Sequence, residues 1–518
     1  MRSIPRMGTA LAMLAATAIL AVPAGAQQSN TTEAERIADR TQALAQEGAE
    51  QSGKVVRGRL ETSGNERTAA QTAAAGQWDS SCRLPDDFNL IHATVLRNGN
   101  LLAIAGSGNV PGGTRRGYIL NPSTCSFTQL ALPRDFFCSI NVALPDGTVL
   151  MAGGTRQYDP FQGLRTAYLF NPGERTFTRA GTMAEGRWYP GATQLANGDV
   201  AVFSGLDTAG NLNTQVETYR WQTRTWGRRS YRFNVSTYAQ MLPMAGGRLF
   251  FTGMGFGGSN RVGILTPSTG AWQAVGGLDP NPRDQGASFF VPGTQGGTAM
   301  VVGGDVNTSA RIDLSSASPT YQPGPSLAKP TKFLSHGTLF DGTVLLAGGQ
   351  DPAGNPVSDA YLYRPASGGL ESVAPTSYAH QYHSVMWVDT KGRAWLGGGN
   401  PARGVEQPVL ERFDPWYVDI ADRPVVTSAP STIAHNQAFS VSVRLAGGTT
   451  LERVWLHRPA SVTHQFGAAE GQFSLARSAG SRWELRADKS LTPPGYYYLV
   501  ATDSRGVPSV AKMVRVTS

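Results

Sequence analysis

At 518 residues the chain is longer than most single domains, and its 61 glycines, 32 prolines and 16% charged residues suit many short strands joined by tight turns. Glycine supplies positive φ and proline presets turn geometry, so an all-β chain is expected. The formal charge is +8, but no Lys/Arg-rich block or nucleic-acid motif concentrates it, which removes nucleic acid from the expected partners.

Arg2 and Arg6, an apolar stretch from Met7 to Val22 and then Ala24-Gly25-Ala26 make residues 1–26 a secretory signal with a small-residue cleavage site. The apolar run is short for a membrane span. The expected location is therefore secreted, periplasmic or cell-envelope, with membrane attachment only if the signal is retained as an anchor. Residues 27–78 are rich in Ala, Gln, Glu and Thr and poor in large apolar side chains. They cannot bury enough surface for a core and read as a low-complexity linker, helical around Glu33–Gln46.

Three cysteines in an exported chain leave one over after any single disulfide. Cys82 and Cys125 bracket the first repeat and can pair in an oxidising compartment, which makes Cys138 the odd one.

From residue 79 a repeat sets in: an apolar segment, a turn ending in glycine, a short β-run and usually a Gly pair. The turn glycines are Gly99, Gly147, Gly198, Gly247, Gly297, Gly342 and Gly392. Seven units with a period of about 50 residues predict a seven-bladed kelch-type β-propeller over 79–420, each blade burying its faces on its neighbours. After Val418 the pattern changes to Pro424, Pro430 and spaced strand-like runs at 439–445, 453–457, 496–502 and 512–516. Residues 421–518 read as an immunoglobulin-like sandwich, too small to be an enzyme of its own.

Counting back nine residues from each turn glycine gives Leu90, Cys138, Tyr189, Tyr238, Ser288, Phe333 and His383, with Tyr382 beside the last. Equivalent positions of a closed radial repeat share radius and height, so Cys138, Tyr189, Tyr382 and His383 are expected at one end of the central channel. A lone Tyr or His at such a place is usually a packed strand residue; the four together ask for a chemical explanation.

The segments Asp135-Phe136-Phe137-Cys138, Leu144-Pro145-Asp146-Gly147, Arg187-Trp188-Tyr189, Tyr382-His383-Ser384, Val462-Thr463-His464 and Pro494-Gly495-Tyr496-Tyr497 resemble those of the galactose oxidase and glyoxal oxidase family of copper radical oxidases. The resemblance runs from about Asp79 to Ser518, and the Arg187-Trp188-Tyr189 run is closer to the glyoxal oxidase branch. It implies one copper ion held by Tyr189, Tyr382, His383 and His464, the last brought by a loop of the C-terminal domain. It also implies a thioether between Cys138 and the Tyr189 ring, which makes that tyrosine the radical cofactor. Tyr382 would act as base, the Tyr189 radical would take a hydrogen atom, and dioxygen would leave as hydrogen peroxide. Two imidazoles and phenolate oxygen in a tetragonal arrangement suit Cu(II) with an open position.

What the resemblance implies, then, is an oxidase of small aldehydes of the glyoxal or methylglyoxal type, or of primary alcohols; a monomer is expected, though the sequence leaves the oligomeric state open. The alternatives are a carbohydrate alcohol oxidase like galactose oxidase and a non-catalytic kelch scaffold. The chain departs from the family in three ways. Nothing between Gln27 and Gly76 forms the carbohydrate-binding domain of galactose oxidase. Leu206-Asp207-Thr208 stands after Gly205, where the tryptophan that shields the radical is expected, leaving Trp188, Trp221 and Trp226 as substitutes. The Gln-Arg pair expected a little beyond His464 is missing. His92, His336, His380, His435 and His457 read as structural or surface residues, with His380 and His336 the candidates for supporting the site from behind.

Overall fold

The computed structural model describes residues 54–56, 58–60 and 75–517, apart from 86–87, 107–115, 159, 257–261, 277–282, 284, 401, 403, 465, 468–469 and 479–481. The signal at 1–26, the helix expected around 33–46 and most of the 27–78 linker lie outside these residues. What is described of the linker lies against the propeller: the amide of Lys54 donates to the Gly354 carbonyl and that of Leu60 to Ser377, each at 2.7 Å.

Seven antiparallel sheets follow one another around a central channel. Their innermost strands are Leu90–Val95, Ser139–Ala143, Gly191–Gln194, Met241–Pro243, Ala287–Phe290, Ser335–Thr338 and Val385–Val388. Each inner strand and the next are almost wholly buried, whereas outer strands such as Ser126–Ala131 and Ala271–Ala274 are largely exposed. Blades stack face to face, so their middle strands are covered on both sides and read as continuous apolar runs, as Val149–Gly153 does.

The ring is closed by the chain's first described strand. Gly76–Arg83 pairs antiparallel with Val409–Pro415 and becomes the outermost strand of blade 7. Trp78 packs on Phe413 with ring centroids 5.2 Å apart and donates Nε1–H to the Ala374 carbonyl. Cys82 on this strand is bonded to Cys125 on the outer hairpin of blade 1, with Cα atoms 5.7 Å apart, so the bridge pins the closing strand to the neighbouring blade. A 43-residue separation limits the unfolded chain substantially. Replacing both cysteines by alanine should cost about 2–4 kcal/mol, read as a lower urea midpoint, with the reductant sensitivity of the parent abolished.

Blade 5 breaks the regular count. In the other blades the inner hairpin closes over a five-residue span, as from the Leu144 amide to the Thr148 carbonyl, but in blade 5 the corresponding bond runs from Val291 to Thr298. Three extra residues in that turn shift the equivalent position from Ser288, where the glycine spacing puts it, to Gln285. Backbone conformation bears this out: Cys138, Tyr189, Tyr238, Gln285, Phe333 and His383 all have positive φ, between 46° and 70°. Ser288 does not; it lies inside a strand.

Beyond residue 424 a five-stranded sheet built on Leu451–Arg458 and Gly495–Asp503 faces a smaller sheet formed by Ala438–Ser440, Ala476–Arg477 and Arg482–Glu484. Ile433, Val454, Leu456, Trp483, Leu499 and Val514 fill the space between them. The sandwich is docked on the propeller: Trp455, Tyr498 and Val500 belong to the propeller's own core, and Arg458 Nη2 donates to Gln194 Oε1 at 2.5 Å. Between Leu451–Arg458 and Gly471–Ser474 the chain leaves the sandwich and enters the channel. There Ser461–Thr463 pairs antiparallel with the inner strand of blade 1, Thr463 opposite His92.

Candidate functional site

The left-handed residues form a ring. The amide of Tyr189 donates to the Cys138 carbonyl at 3.1 Å, that of Tyr238 to Tyr189 at 2.8 Å and that of Phe333 to Gln285 at 2.8 Å. Blades 2 and 3, 3 and 4, and 5 and 6 are thus joined by a hydrogen bond at this height, and the side chains project together into the channel. In an extended strand, consecutive side chains point to opposite sides. Positive φ at the second residue of a pair undoes that alternation: Trp188 lies flat on Tyr189 at 3.7 Å and 5°, and Tyr382 stacks on His383 at 3.7 Å and 29°.

The five residues singled out in the sequence converge. Cys138, Tyr189, Tyr382, His383 and His464 are all buried, none more than 1% exposed, and the hydroxyls of Tyr189 and Tyr382 touch. The ring of His464 lies 4.3 Å from His383 and 4.9 Å from Tyr189 by centroids. Cys138 is the one cysteine outside the disulfide.

His464 is delivered by the inserted strand. Asn141 Nδ2 donates to Thr94 Oγ1 at 2.7 Å and to the carbonyls of Ala93 and Val462 at 3.1 and 3.3 Å, fastening blades 1 and 2 and the insertion to one another. Asn141 carried no sequence signal, because its partners lie in separate parts of the chain.

Both imidazoles are held from behind. Nδ1 of His383 faces Asn400 Oδ1 and Nδ1 of His464 lies 2.6 Å from Thr463 Oγ1, whereas both Nε2 atoms are buried without a partner. Burial, opposed by Asn400, pushes His383 down to about 3. Burial and then the neighbouring His383 and His92 hold His464 well below the usual range. Two neutral imidazoles with unused lone pairs, beside two touching phenols, make an N₂O₂ donor set of the kind that suits a tetragonal Cu(II) ion. Among the described residues no cluster of three or more His, Cys, Asp or Glu competes as a metal site.

Two buried carboxylates, absent from the sequence-level candidates, fix the segments that carry the tyrosines. In blade 3, Glu217 accepts from the amides of Ala184 and Glu185 and from Arg187 Nη2 at 3.2 Å; Arg187 also donates to the carbonyls of Ser204 and Gln215. In blade 7, Glu411 accepts from the amides of Ser377 and Tyr378, and His380 Nε2 lies 3.1 Å away. Arg187 and His380 each stand two residues before a site tyrosine, so the two latches are equivalent. The Glu411→Gln protein should fold with a loss of about 1–3 kcal/mol and bind copper more weakly, seen by titration calorimetry. Copper affinity equal to the parent's would deny the latch any hold on Tyr382 and His383.

Of the three tryptophans left open, Trp188 is the one on the radical-candidate ring. Its backbone pairs both ways with Leu206, the residue standing where the family's tryptophan is expected. Trp221 and Trp226 donate instead to the carbonyls of Asn197 and Ala180. His380 supports the site through Glu411. His336 packs on Phe289 in blade 5 and touches none of the five. His92, read as structural, faces His464 at 6.0 Å. Surface clefts lie at the propeller–sandwich seam beside Arg97 and Arg458 and along blades 4 to 6, and another, lined by Tyr238 and Phe466, borders the rings that pack on Tyr189 and His464.

Residues 423–516 match the family described as "Galactose oxidase-like, Early set domain". Galactose oxidase of Gibberella zeae is 22% identical over 459 residues, covering 79% of this chain and 65% of its own length, so the alignment spans about two thirds of that relative. An aldehyde oxidase, GLOX, of Vitis pseudoreticulata is 26% identical over 464 residues, covering 77% and 85%. The fold is shared with a solved fungal alcohol oxidase of the AA5 family, described in complex with copper, at a TM-score of 0.74 and 19% identity over 86% of this chain and all of that one. By fold and by sequence, this chain is related to the galactose oxidase and glyoxal oxidase family.

Proposed function

We propose that this chain is an exported mononuclear copper oxidase that takes two electrons from a small aldehyde or primary alcohol and passes them to dioxygen, giving hydrogen peroxide. The observation that carries the reading is the pair of buried imidazoles, His383 and His464, whose unpartnered Nε2 atoms sit beside the touching phenols of Tyr189 and Tyr382. Copper, held by these four side chains, would supply a one-electron acceptor and a coordination position for the substrate oxygen.

The chain supplies the rest. Tyr382 Oη takes the substrate's hydroxyl proton, its ring held by Phe333 and His383. Tyr189, bonded through its ring to Cys138 Sγ, is the second one-electron centre and takes a hydrogen atom from the substrate carbon. Trp188, flat against Tyr189, keeps water from that ring. The propeller over 79–420 is the catalytic unit, and the 421–518 sandwich completes it with His464. A buried centre closed over by aromatic rings suits a small substrate, and the 26% relative named an aldehyde oxidase points the same way. The Cys82–Cys125 bridge fits the oxidising compartment that the 1–26 signal implies.

The test is copper titration followed by a peroxide-coupled assay with glyoxal, methylglyoxal, a primary alcohol and galactose. One copper per chain with peroxide from the first three is expected. Turnover of galactose alone would move the substrate to carbohydrate alcohols, and copper binding without peroxide from any of them would overturn the oxidase reading. The His464→Ala protein should lose copper affinity by more than the about 10–100-fold that removing a group behind a ligand costs.

A further inference from the structure

A line of aromatic rings leads away from Tyr189 to the surface. Trp188 lies flat on Tyr189, Phe161 stacks on Trp188 at 4.5 Å and 20°, and Tyr158 meets Phe161 at 5.7 Å and 61°. Trp188 and Phe161 are buried, whereas Tyr158 is partly exposed. Tyr158 is also parallel to Phe137, the residue before Cys138, at 6.1 Å. Its hydroxyl donates to Asp135 Oδ2 at 3.2 Å, and Asp135 is itself partly exposed. Burial and the Asp135 charge push the Tyr158 phenol upward, so it keeps its proton at rest.

These positions lie outside the four proposed copper ligands, yet they join a partly exposed tyrosine and its carboxylate partner to the ring of Tyr189 through successive ring contacts. A phenol is far easier to oxidise when a base can accept its proton as the electron leaves, and Asp135 is placed to do that. Tryptophan and tyrosine both pass single electrons at moderate potentials, and Phe161 fills the space between them.

We propose that Tyr158 and Asp135 form the outer end of a one-electron path through Phe161 and Trp188 to Tyr189, by which a small outer-sphere oxidant converts the resting tyrosine to its radical form. This rests on the copper-radical reading above. In the first step the oxidant, for instance hexacyanoferrate(III), takes one electron from Tyr158 while the phenolic proton moves to Asp135. An electron then leaves Tyr189, deprotonated as a ligand, and reaches Tyr158, which recovers its proton from Asp135. In sum one electron passes from Tyr189 to the oxidant, and no proton is gained or lost by the pair at the surface.

The experiment uses copper-loaded full-length protein, reduced to the resting state and mixed with hexacyanoferrate(III), with radical formation followed by stopped-flow absorbance and by electron paramagnetic resonance. The Tyr158→Phe protein keeps the ring and its packing. It should form the radical at least about tenfold more slowly, with copper affinity, the Cys138–Tyr189 mass deficit and turnover after full oxidation all unchanged. Asp135→Asn should slow the same phase. A parent-like rate in Tyr158→Phe overturns the path, and a parent-like rate in Asp135→Asn overturns the part given to the carboxylate. Parent protein that binds copper but yields neither radical nor mass deficit defeats the radical reading itself, a result that is distinct from both.

Discussion

Copper-loaded Cys138→Ser protein, exposed to air, will keep its metal, lack the two-hydrogen mass deficit of a Cys138–Tyr189 link, and turn over about a hundredfold more slowly, a cost of about 2.7 kcal/mol. Cys138 and Tyr189 occupy equivalent places in adjacent blades and are joined through the backbone at 3.1 Å. Both are buried, and serine is close to cysteine in shape. None of the four proposed ligands is disturbed, so copper affinity should barely change. What is lost is the sulfur substituent that makes the Tyr189 ring easier to oxidise, and with it the second one-electron centre. Peptide mapping by mass spectrometry checks the link and the peroxide assay checks the rate. Parent-like turnover in this variant would remove Cys138 from the mechanism.

That the two residues meet was legible from the period, because a hairpin turn ending in glycine marks the same height in nearly every blade. The marker failed in blade 5, where Pro292-Gly293 begins a longer turn and a glycine pair still ends it; the count landed on Ser288 instead of Gln285. A three-residue insertion leaves the apolar pattern untouched, so spacing alone has no means of seeing it. The disulfide was open in the sequence and is made in the fold, since strand closure brings Cys82 of blade 7 beside blade 1.

What the sequence concealed has a common cause. Glu217 and Glu411 look like ordinary strand carboxylates, and only the blade geometry folds each back onto the segment before an inner strand. Trp188 was one of three choices because strand alternation would send it away from Tyr189; the positive φ of Tyr189, 60°, puts it on the same side. Left-handed conformation at a tyrosine is unusual, and at Tyr189 the neighbouring blades hold it through backbone hydrogen bonds to Cys138 and Tyr238. The site is thus specified by the ring rather than by any local motif.

The same ring makes Tyr382→Phe the most discriminating test of the proton's path. Tyr382 is wholly buried, with Phe333 at 5.0 Å, His464 at 5.8 Å and Phe256 at 6.1 Å by ring centroids. The benzyl group left by the substitution fits the same space, and stability should change by less than about 1.5 kcal/mol. The Cys138–Tyr189 link should still form, because neither partner is altered. The oxygen touching Tyr189 Oη is gone, however, and with it the group placed to take the substrate's proton. A positioned general base contributes about 10²–10⁴-fold, so kcat should fall by that factor while the mass deficit persists. If Tyr382→Phe instead kept its kcat, the proton would have to leave by another route. Beyond His383, the imidazole facing His464 is His92, 6.0 Å away by ring centroids, so the double variant Tyr382→Phe/His92→Gln would then be the measurement that decides it.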